Sequence, residues 1–347
     1  MSGVQLLTVG AGEGDQRLDR WLRRRFPHLG QGRIEKMCRK GELRLDGARV
    51  KSSTRIAEGQ AIRVPPIPEP EATPSPAAPR IASADAALVQ AAVLYKDDHL
   101  IALNKPAGLP SQGGSKQTRH VDGLAEALRF DLDEKPRLVH RLDKDTSGVL
   151  LLARTRASAA ALADAFRARE TRKIYWAAVA GVPQPRMGTV RFGLVKAPGH
   201  GAGGEGEKML CLHPQEIDAT PGAKRATTDY AVLSALGGRV SWTALVPITG
   251  RTHQLRAHMA ELGHPIVGDG KYGGSRQENL GDGWGAGLGG ALSRKLHLHA
   301  RSLTLTHPIT GARLNLTAPL PDHMQRTWDM MDWHSADVPA DPFEDAL

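Results

Sequence analysis

The stretch Arg137-Leu138-Val139-His140-Arg141-Leu142-Asp143-Lys144-Asp145-Thr146-Ser147-Gly148-Val149-Leu150-Leu151-Leu152-Ala153 sets a dense polar block between apolar ends. Its second half, an unbroken apolar run led in by Gly148, reads as a buried strand. The polar half is then a loop held between two hydrophobic elements, and it presents Asp143 with Arg141 two residues before it and Lys144 next to it. Moving outward, Val93-Leu94-Tyr95 and Leu100-Ile101-Ala102-Leu103 read as strands around an Asp97-Asp98 turn. Residues 121–130 and 158–169 read as helices, and 174–179, 228–236 and 296–305 as strands. Strands that follow one another without regular helical crossovers predict an α+β fold with a mixed, largely antiparallel sheet.

A second informative segment is Pro247-Ile248-Thr249-Gly250-Arg251-Thr252-His253-Gln254-Leu255-Arg256-Ala257-His258. Leu255 and Met259 suit the buried side of a short helix, while Arg251, His253, Arg256 and His258 supply donors to an anion or a buried carboxylate. His253 and His258 are five apart, not the i, i+4 pair of a helical zinc site, and no Glu follows His253. A metalloprotease is therefore disfavoured. His297 and His299 alternate along a strand, but no third ligand is evident, so a structural role is expected for them.

The chain has 347 residues and a formal net charge of +9, from 46 Lys plus Arg against 37 Asp plus Glu. Between Arg17 and Arg55 stand thirteen basic and four acidic residues, so this segment holds the whole excess. Leu18, Trp21, Leu22 and Phe26 recur at helical spacing among Arg17, Arg20, Arg23, Arg24 and Arg25. A second helix, 33–40, turns Ile34 and Met37 inward and Arg33, Lys36, Arg39 and Lys40 outward, with Gly41 as its cap. Leu43-Arg44-Leu45 and Ala48-Arg49-Val50 then form a hairpin across Asp46-Gly47. So many cations in so short a stretch call for a polyanionic partner.

From Pro65 to Pro79 seven of fifteen residues are proline, which marks a linker, set here at 65–86, between a small domain (1–64) and a larger one (87–325). A glycine-rich tract at 268–290 reads as a surface loop, and 326–347 as a C-terminal tail, disordered from 335. Cys38 and Cys211 are too few for a disulfide framework and fit a reducing compartment. No stretch approaches the roughly 18 apolar residues of a membrane span. The amino-terminal residues carry no secretion signal pattern, so a soluble cytoplasmic protein is expected.

The first segment resembles the S4 RNA-binding domain, of αL type, through Arg17-Leu18-Asp19-Arg20-Trp21-Leu22, Gly32-Arg33-Ile34, and the run from Lys40 to Val50, closing at Gly59-Gln60-Ala61-Ile62-Arg63-Val64. One departure is Gly32 or Gln31 where a serine usually opens the second helix. The remainder resembles the RluA-type family of RNA pseudouridine synthases, in its RluC and RluD branch. The resemblance rests on Leu103-Asn104-Lys105-Pro106-Ala107-Gly108-Leu109, the loop from His140 to Gly148, Lys173-Ile174-Tyr175-Trp176-Ala177-Ala178-Val179, and Thr249 to His258 followed by Gly263-His264-Pro265-Ile266-Val267-Gly268-Asp269. The steps Gly113-Gly114-Ser115 and Thr146-Ser147-Gly148 look nearer to RluC.

That resemblance implies an isomerase that converts uridines of large-subunit (23S) ribosomal RNA, or its precursor, to pseudouridine after flipping the base out of its stack. No cofactor and no metal are implied, and a monomer is expected. Asp143 corresponds to the catalytic carboxylate, which either attacks the sugar or withdraws its 2′ proton; the residues leave both open. Arg256 corresponds to its ion-pair partner, and Tyr175 to the residue that stacks on the base and helps remove the carbon-5 proton. Arg141 corresponds to the residue filling the vacated stack. RNA contacts are expected from Arg141, Arg251 and, in the small domain, Arg17, Arg20, Arg33, Lys36, Lys40 and Arg44. Two competing readings stand beside this one. Asp143-Lys144-Asp145-Thr146 fits the Asp-x-Asp-x-Thr pattern of haloacid-dehalogenase-type phosphatases, but Gly148 leads straight into a strand without the βαβ continuation that fold needs. An RNA-binding ribosome-assembly factor without catalysis is the other.

Overall fold

The computed structural model describes residues 3–67, 81–113, 119–168, 170–197, 208–273, 292–334, 338–339 and 341–343. The chain divides into two compact units, Met1–Arg80 and Ile81–Leu347.

In the first unit the helices Leu18–Arg25 and Gln31–Lys40 bury Leu18, Trp21, Leu22, Ile34 and Met37 and leave their arginines outside. The second helix ends on Gly41 in the left-handed region, φ 71°, where a bulkier residue would also meet the Arg49 guanidinium. Asp46 and Gly47, both at positive φ, turn strand Arg44–Leu45 into Ala48–Arg49. These join Ala61–Val64 and Gln5–Thr8 in a four-stranded antiparallel sheet that closes the core.

The second unit is built on an eleven-stranded sheet. Its main path runs Met209–Leu212, Met187–Lys196, Lys224–Leu236, Val240–Pro247, Arg172–Ala180, Leu298–Thr306, Ser147–Ala153, Leu100–Lys105 and Val93–Lys96. Every pairing is antiparallel except the short contact of Ser147 and Gly148 with His299 and Ala300. The expected mixed, largely antiparallel sheet with helices is therefore what the second unit contains.

The central strand Arg172–Ala180 shows how the sheet divides its labour. Ile174, Trp176 and Ala178 enter a core with Trp242, Trp328, Met331 and Trp333, where Trp176 stacks on Trp328 with centroids 5.2 Å apart. Tyr175, Ala177 and Val179 face the opposite side, against Leu255 and Met259 of helix Gln254–Glu261. The strict alternation of side chains along a strand produces this split.

Three boundaries differ from the sequence reading. Residues 68–80 of the expected linker lie outside the described residues, but Ile67 is buried in the first core and helix Ser83–Ala91 buries Val89 in the second unit. The alanine-rich segment after Arg80 lacks proline and is free to form a helix, so the second unit begins before residue 87. The expected tail from 326 is instead core: helix Asp322–Met330 runs through it, and Trp328, Trp333 and Phe343 are buried. Asp341 also receives two bonds from the Arg172 guanidinium, at 2.8 and 2.9 Å. The expected helix at 121–130 is one α-turn, Val121–Leu124, followed by the 3₁₀ turn Ala125–Leu128. Most of the glycine-rich tract, from 274, lies outside the described residues.

Candidate active site

The polar loop stands where it does because both its ends are strand and its middle is tied to a neighbouring loop. Gly148, the second residue of strand Ser147–Ala153, stands at φ 107°, and a Cβ there would fall 2.2 Å from the Ala300 carbonyl oxygen, so only glycine fits the parallel contact. The Ser111 hydroxyl donates to the Leu142 carbonyl at 2.7 Å and accepts from the Leu142 N–H at 3.0 Å. On the other side of Asp143, the Lys144 carbonyl accepts from the Gly108 N–H at 2.9 Å and the Lys105 ammonium at 3.0 Å. Lys105 is fully buried and spends its other donors on the carbonyls of Pro106 and Leu109. Burial pushes its amino group down to about 7, against the charges of Asp145 and Asp143. Asp143 is thus carried between two anchored neighbours.

The loop's first residue is anchored as well. The His140 Nε2 accepts from the Leu151 N–H at 2.9 Å, and its ring lies against Phe166 with centroids 4.6 Å apart. Burial, helped by the Lys173 charge, pushes this imidazole down to about 3, so it is a neutral acceptor at physiological pH.

The Asp143 side chain is 30% exposed and opens onto a cleft of about 1010 Å³. Two groups of the 247–258 segment face it: the Arg256 Nη1 at 3.8 Å and the His253 Nε2 at 3.9 Å. Both distances exceed a direct hydrogen bond and match a charge held ready, or one bridged by water. His253 sits in the left-handed region, φ 52°, immediately before helix Gln254–Glu261, which lets its ring turn back toward the carboxylate. Its Nδ1 lies 3.1 Å from the Tyr272 hydroxyl. Burial lowers its basicity although Asp143 acts the other way.

Arg256 has a closer partner than the sequence reading gave it. Its Nε and Nη2 donate to the two oxygens of fully buried Asp269, both at 2.7 Å, and its guanidinium lies 5.3 Å from the Tyr272 ring centroid. Burial opposes the charge, but the bonds and charge of Asp269, and then Asp143, raise the Arg256 pKa above its ordinary value. The pairing expected with Asp143 is therefore the looser of two: Asp269 fixes the guanidinium, and its remaining edge faces Asp143.

Tyr175 lines the same cleft on the central strand. Burial, and secondarily the Asp143 charge, raises its phenol well above the ordinary range, so it stays protonated. Gln254 rigidifies the rim: its side chain accepts from Thr249 Oγ1 at 2.7 Å and Arg251 N–H at 3.1 Å and donates to the Thr227 carbonyl at 2.8 Å.

Of the expected RNA contacts, Arg141 and Arg251 are exposed on the cleft wall, held by Gln112 Oε1 and the Arg225 carbonyl, each at 3.3 Å. In the first unit Arg20, Arg33 and Lys36 are exposed on the helices, while Lys40 lies 3.7 Å from Glu42 and Arg44 donates to the Gly41 and Gly47 carbonyls. Arg17 pairs with Asp19, with bonds of 3.1 and 2.6 Å, and keeps nearly half of its side chain exposed. Ser111, Lys105, Gln254 and Asp269 were not singled out by the sequence reading. Tyr272 is drawn in by contacts through the fold, at His253 and over the Arg256 guanidinium.

A carboxylate faced by a clamped guanidinium, with a half-buried tyrosine lining the same wide, arginine-rimmed cleft, is the site of a nucleic-acid-modifying enzyme. Residues 99–261 match the family model described as RNA pseudouridylate synthase. A curated relative from Rickettsia bellii, "Ribosomal large subunit pseudouridine synthase C", is 35% identical over 89% of this chain and 96% of its own length. The protein of that name from Escherichia coli strain K12 is 33% identical over 93% and 95%. Among solved structures, "Human RNA Pseudouridylate Synthase Domain Containing 4" is similar with a TM-score of 0.57 at 32% identity, over 71% of this chain and 95% of that one. The chain belongs to the RNA pseudouridine synthase family.

Proposed function

We propose that this protein isomerises specific uridines of large-subunit (23S) ribosomal RNA to pseudouridine, with Asp143 as the catalytic carboxylate. The observation that carries this reading is that Asp143, partly exposed to the cleft, has the Arg256 edge 3.8 Å away and Tyr175 lining the same cleft. The names of the relatives supply the substrate class.

The reaction breaks the bond from C1′ to N1, turns the detached uracil and joins C1′ to C5, while a proton leaves C5 and one is gained at N1. Atoms and electrons balance without a redox partner. Asp143 either takes C1′ or withdraws the 2′ proton, and Arg256, held by Asp269, meets the negative charge at either stage. Tyr175 with its raised phenol is a poor proton acceptor at neutral pH, which supports a stacking role on the flipped uracil over a basic one. Arg141, exposed on the wall beside Asp143, fills the stack the base leaves. The first unit is read as an S4-like RNA-docking domain, with Arg20, Arg33, Lys36, Lys40 and Arg44 toward phosphates. No helix among the described residues is long and apolar enough to cross a membrane; a cytoplasmic monomer is part of this reading.

Carbodiimide mapping of ribosomal RNA from a strain lacking the gene, complemented with wild type or Asp143→Asn, is the test. Loss of defined pseudouridines in the large-subunit RNA, restored by wild type alone, is expected. An unchanged map sinks the proposal, and restoration by Asp143→Asn sinks the role of Asp143.

A further inference from the structure

The cleft extends past Tyr175 to a part of the wall that the proposed chemistry does not use. Lys173 precedes Tyr175 by two residues on the central strand and so shares its face; both line the cleft. The bulge beside them falls on the partner strand, where Tyr175 pairs with Ala300 and Ile174 with Ser302, so the alternation on the central strand is kept. The Lys173 ammonium lies 5.5 Å from the Phe166 ring centroid, and that ring rests on His140 at the start of the catalytic loop.

What sets Lys173 apart from Arg172 and Arg256 is its missing counter-charge. Arg172 beside it is held by Asp341, and Arg256 by Asp269. Lys173 is half-buried, and among the described residues no carboxylate comes within the 4.0 Å of an ion pair. Burial alone lowers its basicity. A desolvated cation without a partner is costly, and the cost falls when a ligand brings the anion. A neutral uracil carbonyl would accept a hydrogen bond but leave the charge uncompensated. A phosphodiester supplies both.

We propose that Lys173 is an anion site for a backbone phosphate next to the flipped uridine. This rests on the pseudouridine synthase reading above. One charge-assisted contact of this kind is worth about tenfold or more in affinity.

The test uses the full chain and a large-subunit RNA fragment spanning the mapped uridine, with a neutral methylphosphonate replacing the phosphate on its 5′ or 3′ side in turn. One replacement should weaken wild-type KM about tenfold, and the same replacement should leave Lys173→Met almost unaffected, because that variant has already lost the contact. Lys173→Met should also lower the slope of log affinity against log salt by about 0.7 to 1, and Lys173→Arg should recover both. Lys173→Gln, checked by thermal melting, repeats the comparison if methionine disturbs the wall. If each methylphosphonate affects Lys173→Met or Lys173→Gln as much as wild type, the ammonium serves only to support Phe166 and His140, and the proposal fails. A wild type that forms no pseudouridine in any large-subunit RNA would instead overturn the functional reading on which it rests.

Discussion

Ser111 gives its donor and its acceptor capacity to a single residue, Leu142, one position before Asp143, the proposed catalytic carboxylate. Ser111→Ala strands a buried N–H and a carbonyl, at about 1–3 kcal/mol for each unmet group. Because small misplacements of a reacting group lower rate steeply, turnover should drop about tenfold to a hundredfold while RNA affinity and secondary structure hold. Single-turnover kinetics beside a binding titration would show this; a loss confined to affinity would contradict it. Asp143 was legible because its loop is one continuous motif. Asp269 stands thirteen residues after Arg256, and its clamp exists only once helix Gln254–Glu261 and the segment after Val267 have packed. Spacing along the chain carries no sign of that pairing.

The strand Ser147–Ala153 is fixed at its first turn of backbone by Gly148, where any Cβ collides with Ala300. Gly148→Ala should unpair Ser147 and Gly148 from His299 and Ala300, lower the thermal midpoint and abolish activity together, measured by melting and by pseudouridine formation. Removing the stacked ring on the other face, Trp328→Ala, should cost about 3–5 kcal/mol in a denaturant titration without touching the cleft directly. Met187–Lys196, Met209–Leu212, Val240–Pro247 and Arg313–Thr317 went unread as strands, while those near 93, 100, 149, 174, 228 and 296 were readable from their apolar content. Element ends were not. The 121–130 segment looked like a full helix until the packing of Leu124, Ala125 and Leu128 in the core tightened its second turn to 3₁₀. The segment after 326 looked like a tail because its tryptophans are spread among polar residues, and only the sheet shows that they meet one another.

Across the second unit, buried neutral histidines tie stability to pH. His140 and His299 are pushed down to about 3 and His258 and His297 to about 4, all chiefly by burial, from an ordinary 6.5. Unfolded, these rings take up protons below about pH 6.5; folded, they do so only near 3 to 4. Their contribution is therefore full above 6.5 and falls away as pH drops toward 4, which urea titrations across that range would read as a falling free energy. Neither ring nitrogen of His258 has a hydrogen-bond partner among the described residues. His258→Leu should flatten this slope by about one proton and stabilise the protein at pH 5; a steeper slope would refute the account. Deleting residues 1–80 should leave the second unit folded, since each unit has its own core, and should weaken RNA binding most at low salt. The late placement of Trp328, Trp333 and Phe343 has a consequence for biosynthesis. The central strand, with Lys173 and Tyr175 on one side, packs its other side into a core completed by Met324, Trp328, Met331, Trp333 and Phe343, made more than a hundred positions later. During vectorial synthesis the amino-terminal unit completes first, so, on the proposed docking role, a nascent chain would grip RNA while its isomerase is still unfinished.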